Sequence, residues 1–410
     1  MGKNNVVGLL GRDAIRDELS ELIREGASRL IREAVEVELA ELLDSLQGRQ
    51  DSGGRAAVVR NGYHPEREIQ TGVGAVPVRV PKVRSRDGTP VRFHSALVPP
   101  YVRKSASVQA AIPWLYLKGI STGDMAPALQ VLVGAEAKGL SASTVSRLKQ
   151  QWGEEYTAWR HRRLDRDRWV YMWADGIYSG VRADRQRLCA LVIVGVNERG
   201  EKHFVAIADG VRESTQSWRE VLLDLKSRGV AAPEVAVGDG AMGFWSALEE
   251  IYPQTRQQRC WVHKTANVLN ILPKSVQPKA KSALYDIWQA PTRSDAERAF
   301  DRFLATFDAK YPKATQCLEK DRDTLMTFYD FPAVHWQHLR TTNPIESTFA
   351  TIRLRHRRTK GNGTRKASLA MMFKLAQAAQ KRWRRLNGPE QMALILQGRT
   401  FVDGVLQDAA

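Results

Sequence analysis

Two short apolar runs, each ending in Asp-Gly, restrict this chain more than any other feature. Residues 169–174 (WVYMWA) carry no charge and lead straight into Asp175-Gly176, and residues 235–238 (VAVG) lead into Asp239-Gly240. Uncharged runs bounded by turn residues predict strands covered on both faces. Such strands belong inside a sheet with helices on its two sides. A right-handed crossover between the runs would set them parallel and adjacent, about 4.8 Å apart, with both carboxylates at matching ends. Carboxylates placed that way can share one hard divalent cation, whose oxygen ligands sit at roughly 2.1 Å. Read as turn residues, the same aspartates would mean nothing of the kind. Asp-Gly also occurs at Asp87, Asp209 and Asp403, so strand context has to carry the signal. Asp209 ends a strand two places from the first, about 10 Å away, too far to share an ion.

The surrounding pattern fits an α/β core. Residues 187–196 and 202–208 predict two more strands, joined by a four-residue hairpin loop at 197–200. Residues 213–228 predict a helix, with Trp218, Val221, Leu222 and Leu225 at helical spacing and Gly229 ending it. The run at 235–237 follows, then a helix through Phe244, Trp245, Leu248 and Ile251 to Pro253, a short strand ending at Cys260, and a helix to Pro273. Three meandering strands followed by helix, strand, helix and strand is the order of a ribonuclease-H-like fold. From 273 to 339 the pattern is helical throughout, an insertion before the last core element at Asn343. Upstream, residues 13–47 predict one long packing or dimer helix, 48–60 a linker and 73–80 a small hairpin. Helices at 105–116, 122–133 and 141–159 follow, the last two with Ser/Thr caps. The last pair resembles a helix-turn-helix that would aim Ser143, Ser146, Arg147 and Lys149 at a major groove, although a plain trihelical bundle reads much the same.

Charge indicates the partner. The 410 residues carry a formal net charge of +17. Between Arg340 and Arg385 there are thirteen Lys or Arg against a single acid, Glu346. A polyanion is the natural counterpart, nucleic acid ahead of membrane. Arg353, Arg355, Arg357, Arg358 and Lys360 would neutralise backbone phosphates, with a solvated helix face as the bland alternative. No apolar run approaches the roughly 20 residues of a membrane span, and the first residues do not read as a signal peptide. Three scattered cysteines suit a reducing compartment rather than a disulfide framework.

Glu346 is the ambiguous residue. Asn343, Pro344 and Glu346 match a capping box by type and spacing, with Asn343 as cap, yet Glu346 is also the acid that could complete the pair of aspartates. Cys260-x-x-His263 and His335-x-x-His338 together could be taken for a zinc site, though nothing else suggests a metal other than Mg2+. Trp336 suits either stacking on an unpaired base or ordinary burial.

Several separated motifs, in order, resemble the bacterial insertion-sequence branch of the Mutator-type transposase family. They are residues 117–125 (LKGISTGDM), 139–148 (GLSASTVSRL), 174–178 (ADGIY), 237–248 (VGDGAMGFWSAL), 259–269 (RCWVHKTANVL) and 341–361 (TTNPIESTFATIRLRHRRTKG). The resemblance covers most of residues 95–385. It implies an Asp-Asp-Glu triad of Asp175, Asp239 and Glu346 holding two Mg2+ (or Mn2+) ions, with Asp175 bridging them. The Ser179-Gly180 pair departs from the bulkier strand residue common there. Cys260 and His263 form the family's Cys-x-x-His element; His263 is expected near the scissile phosphate, with Cys260 either beside it or simply a small core residue. The implied reaction is cleavage at terminal inverted repeats of double-stranded DNA and joining of the freed 3′ ends to target DNA. It would be carried out by a homodimer or larger assembly at the nucleoid of a bacterial cytoplasm. The implied divisions are 1–60 (N-terminal helix and linker), 61–165 (DNA-binding helices), 166–272 (first part of the core), 273–339 (helical insertion) and 340–410 (Glu helix and basic C-terminal helices). An inactive DNA-binding protein and a structure-selective nuclease on the same fold are the rival expectations.

Overall fold

The computed structural model of the chain describes residues 18–120, 124–133, 142–180, 187–240, 242–359 and 364–407. The chain divides into two compact units, Met1–Val145 and Ser146–Ala410. In the first, helix α1 (Glu18–Ser45) packs on two small antiparallel strand pairs. These pair β1 (Val58–Tyr63) with β4 (Pro81–Ser85), and β2 (Arg67–Thr71) with β3 (Gly74–Val78). Val35 and Leu39 from the helix meet Ile69, Val76, Val78, Phe93 and Val98 to form its core. The linker expected at 48–60 therefore ends in a strand. That strand escaped the sequence because beyond its first two residues it is exposed and shows no alternation of apolar and polar positions. Helices α2 (Ala106–Leu117) and α3 (Met125–Val133) follow. The connection from α3 to α4 (Ala142–His161) lies outside the described residues, and with it the turn on which a helix-turn-helix depends.

The second unit is built on a mixed five-stranded sheet. Its strands are β5 (Trp169–Gly180), β6 (Arg187–Asn197), β7 (Lys202–Gly210), β8 (Val235–Gly238) and β9 (Arg256–Arg259), in the order β7-β6-β5-β8-β9. The pairs β7–β6 and β6–β5 are antiparallel, while β5–β8 and β8–β9 are parallel. Helix α5 (Thr215–Ser227) makes the crossover from β7 to β8, and α6 (Met242–Ile251) the one from β8 to β9. Trp218, Leu222 and Phe244 of these helices share one apolar cluster with Met172, Ala174, Leu191 and Ile193. Side chains alternate along a strand, so Tyr171, Trp173 and Asp175 point away from that cluster.

Beyond β9 come α7 (Trp261–Ile271), α8 (Gln277–Trp288), α9 (Arg293–Phe307), α10 (Pro312–Glu319), α11 (Arg322–Met326) and α12 (Trp336–Leu339). Then follow α13 (Asn343–Thr359), α14 (Arg365–Gln380), α15 (Gln391–Leu396) and a two-residue hairpin of β10 (Phe401–Val402) and β11 (Val405–Leu406). Among the described residues no helix is long and apolar enough to cross a membrane.

Candidate metal centre

The centre of β5 decides the site. Its parallel pairing with β8 runs from Tyr171↔Val235 to Ala174↔Gly238 and stops there. Asp175 and Asp239 are the next residue on each strand, so the register delivers two carboxylates side by side. β5 itself continues past Asp175 to Gly180, paired with β6, so the strand is longer than its uncharged run. Asp175 is only 8% exposed, and its Oδ1 accepts a hydrogen bond from the Gly176 N–H at 2.7 Å. The main-chain carbonyl of Asp239 is gripped by Trp245 Nε1 at 2.9 Å and by the Arg259 guanidinium. Asp209, the third Asp-Gly of the sheet, is bound instead to Arg365, with Nε to Oδ2 at 2.7 Å.

A third carboxylate joins the pair from an unexpected place. Ligand oxygens of Asp175, Asp239 and Glu213 all lie within 4.8 Å of one another. Glu213 sits in the loop between β7 and α5, one residue before the α5 cap, Ser214. Nothing in its local sequence reads as chemistry. What admits it is seen only in the structure: glycine at 176 and 243, where the backbone leaves room.

Glu346 lies in the first turn of α13 and is not a member of that convergent group. Its Oε1 is 3.3 Å from His263 Nε2 and accepts from the Thr342 hydroxyl at 3.4 Å. The capping arrangement differs from the one expected. Thr342, not Asn343, supplies the carbonyl that accepts from Ile345 N and Glu346 N, at 2.9 and 3.2 Å, and Asn343 already belongs to the helix. Thr342 in turn rests on the start of α7: its N–H donates to Cys260 Sγ at 3.3 Å, and its Oγ1 is 3.3 Å from His263 Nδ1. Cys260, His263 and Glu346 thus form one connected group beside the carboxylates. His335 is elsewhere, buried between the Tyr171 hydroxyl at 2.8 Å and Gly388 O at 3.1 Å, so the four Cys and His residues do not assemble as a zinc site.

Two tryptophans set the approach of α13. The Trp173 indole N–H, on the Asp175 face of β5, reaches the carbonyls of His338 and Thr341, both at 3.2 Å. Trp336 is 9% exposed, donates to Phe331 O at 2.8 Å, and packs edge-on against Phe328 and Tyr329. It is a core residue with no free face for a base. Trp336→Ala should cost about 3–5 kcal/mol of stability in a urea melt, without a selective loss of DNA affinity.

The basic positions divide. Arg353 and Arg147 are exposed, Lys149 is half-buried, and Arg355 is 2% exposed, turned into the protein rather than toward a phosphate. The side chains of Arg357 and Arg358, and the whole of Lys360, lie outside the described residues.

The electrostatics of the cluster follow from crowding. Burial, then the neighbouring Asp239, push the Asp175 carboxyl up to about 7, against the pull of His263 and the Gly176 N–H. Burial and Asp239 likewise raise Glu213. His263 is raised to about 9, first by its hydrogen bond to Cys260 and further by Asp239 and Asp175. Burial would raise the Cys260 thiol, but hydrogen bonds to His263 and Thr342 bring it below its ordinary value. Three convergent carboxylates, one with a buried oxygen, Glu213 Oε2, that has no hydrogen-bond partner among the described residues, are a donor set for a hard divalent cation.

The chain is similar to several known proteins. A family model described as "Transposase, Mutator family" matches residues 6–385. The chain is 52% identical over 295 residues to the transposase for insertion sequence element IS6120 of Mycolicibacterium smegmatis, covering 72% of this chain and 91% of the relative. It is 51% identical over 282 residues to the transposase for element IST2 of Acidithiobacillus ferrooxidans, covering 68% and 95%. A solved structure of the HTLV-2 integrase catalytic core with magnesium aligns at 12% identity and a TM-score of 0.18, over 45% of this chain and 99% of that one, too loosely to argue from.

Proposed function

Since the chain belongs to the Mutator family of transposases, we propose that it cleaves DNA at the terminal inverted repeats of an insertion sequence and joins the freed 3′ ends to target DNA. The observation that carries this reading is the meeting of Asp175 and Asp239 at matching ends of β5 and β8, in a cluster closed to within 4.8 Å. The order of the sheet supports a ribonuclease-H-like core over 166–272, with 273–339 as a helical insertion and 340–410 bringing in the last acid. Asp175 and Asp239 would hold divalent ions, Mg2+ or Mn2+, with Glu346 as the third member of the triad. When bound, two such ions polarise the phosphate and lower the pKa of the attacking water.

The chain's own residues do the positioning. The Gly176 N–H pins the Asp175 carboxylate, and Trp245 and Arg259 fix the backbone that carries Asp239. His263 stays protonated at neutral pH and faces Glu346, which puts a cationic donor at the edge of the cluster, where phosphate charge would gather. Arg353 and the basic residues after it suit the flanking duplex. Action as a homodimer or larger assembly at the nucleoid belongs to the same reading.

The test is a strand-cleavage and strand-transfer assay with Mg2+ on the element's own ends. Wild type should cut and join. Glu346→Gln should keep its circular dichroism spectrum, because an amide oxygen still accepts from Thr342, yet cut about 100-fold more slowly or worse. Cutting without joining would make the chain a nuclease, and tight binding without cutting would make it a DNA-binding module.

A further inference from the structure

Glu213 is not held where it is by its own helix: the hydrogen bond its side chain makes is with Tyr178 on β5, and that leaves Oε2 over. Helix α5 is already capped by the Ser214 hydroxyl, which accepts from Ser217 N at 3.3 Å, so a residue one position earlier is free to face solvent. A negative charge near a helix N-terminus is favourable, but a solvent-facing carboxylate would gain that as well. Instead the side chain lies over the backbone of β5. A Cβ at Gly176 would come within 2.5 Å of Glu213 Oε1 and 2.8 Å of its Cγ. The main chain of the same loop lies against α6, where a Cβ at Gly243 would come within 2.6 Å of Ser214 C and Thr215 N. Two glycines on two different elements thus make the room that brings this carboxylate in. Its Oε2 is buried and finds no hydrogen-bond partner among the described residues. A buried, unpaired acceptor beside two other carboxylates costs stability unless a cation takes it up.

We propose that Glu213 is an additional metal-ligating carboxylate, binding the divalent ions held by Asp175 and Asp239. Glu213 comes in over Gly176, which by strand alternation belongs to the Met172–Ala174 face of β5, while Trp173 and the segment leading to Glu346 occupy the other. The inference rests on the metal-centre reading above, and its test separates the two.

The full-length protein is titrated calorimetrically with MgCl2 alone, and separately with MnCl2, as wild type, Glu213→Gln and Asp239→Asn. Glu213→Gln should weaken binding about 10-fold or more and raise the melting temperature of the metal-free chain, because a mutually repelling charge is gone. Asp239→Asn should abolish binding. If Glu213→Gln binds as tightly as wild type while Asp239→Asn does not, Glu213 is no ligand and the metal centre stands without it. If all three bind alike, the metal-centre reading falls and takes this inference with it. Should Glu213→Gln fail to fold, Glu213→Asp keeps the charge one methylene further back: weakened binding supports the assignment and unchanged binding overturns it.

Discussion

Asp175→Asn should end strand cleavage and strand transfer together, with a loss on the order of 1000-fold or more, as expected when a group that organises transition-state charge is removed. The same substitution should make the metal-free chain more stable. Asp175 is buried beside Asp239 and Glu213, and Asn is nearly isosteric, so it removes the repulsion and keeps the packing. Its Oδ1 can still accept from the Gly176 N–H. A variant that melts higher and does not cut separates chemistry from folding. Paired denaturation and cleavage measurements decide it. A melting temperature well below wild type would mean that Asp175 is structural.

The second large effect is in the dependence of stability on pH. The Asp175 carboxyl is raised from 3.8 to about 7 on folding. A carboxyl held above its unfolded value favours the folded state while protonated, so this contribution is full below about pH 4 and is lost as pH rises to about 7. At about 1.4 kcal/mol per pH unit the loss amounts to ~4 kcal/mol. His263, raised from 6.5 to about 9, acts in the same direction over a higher window: its contribution is full below 6.5 and is lost as pH climbs through 9. The metal-free chain should therefore weaken continuously from mildly acid to mildly alkaline pH, as followed by urea denaturation in chelator. Asp175→Asn should flatten the acid limb and also shrink the alkaline one, because Asp175 is one of the charges that raise His263. A wild-type profile flat between pH 4 and 7 would contradict the crowding of these carboxylates. Added Mg2+ should restore stability at neutral pH, because binding to the folded state alone shifts the equilibrium toward it.

The catalytic half of the fold was legible because its strands are uncharged and its helices amphipathic. Trp218, Val221, Leu222 and Leu225 are buried as their spacing requires, and the runs before Asp175 and Asp239 pair in parallel, as strands joined through a crossover helix do. The strand pairs of the first unit were harder to see, because strands such as β1 are short and mostly solvent-facing. Glu213 was invisible for another reason. A loop residue before a Ser cap looks like any polar linker position, and its role arises only once β5 and α6 close around it. Trp336 and Arg355 are both turned inward by tertiary packing: for Trp336 this is the ordinary burial that the sequence left open beside stacking, whereas Arg355 could not be told apart from its exposed basic neighbours. Glu346 was readable as a cap or a ligand, and its actual cap, Thr342, is bound to Cys260 and His263 from a distant segment, which spacing alone cannot reveal.

The hydrogen bonds by which Trp173 grips the chain ahead of α13 go to the carbonyls of His338 and Thr341. Main-chain oxygens are supplied by every amino acid, so this attachment places no demand on which side chains occupy 338 and 341. The rest of the helical stretch is less free, because the Tyr171 hydroxyl meets His335 Nδ1 at 2.8 Å and Trp261 Nε1 donates to Leu325 O at 2.8 Å. Sequence drift is therefore tolerated at the indole's two partners and resisted where side chains of the sheet and α7 hold the stretch in place.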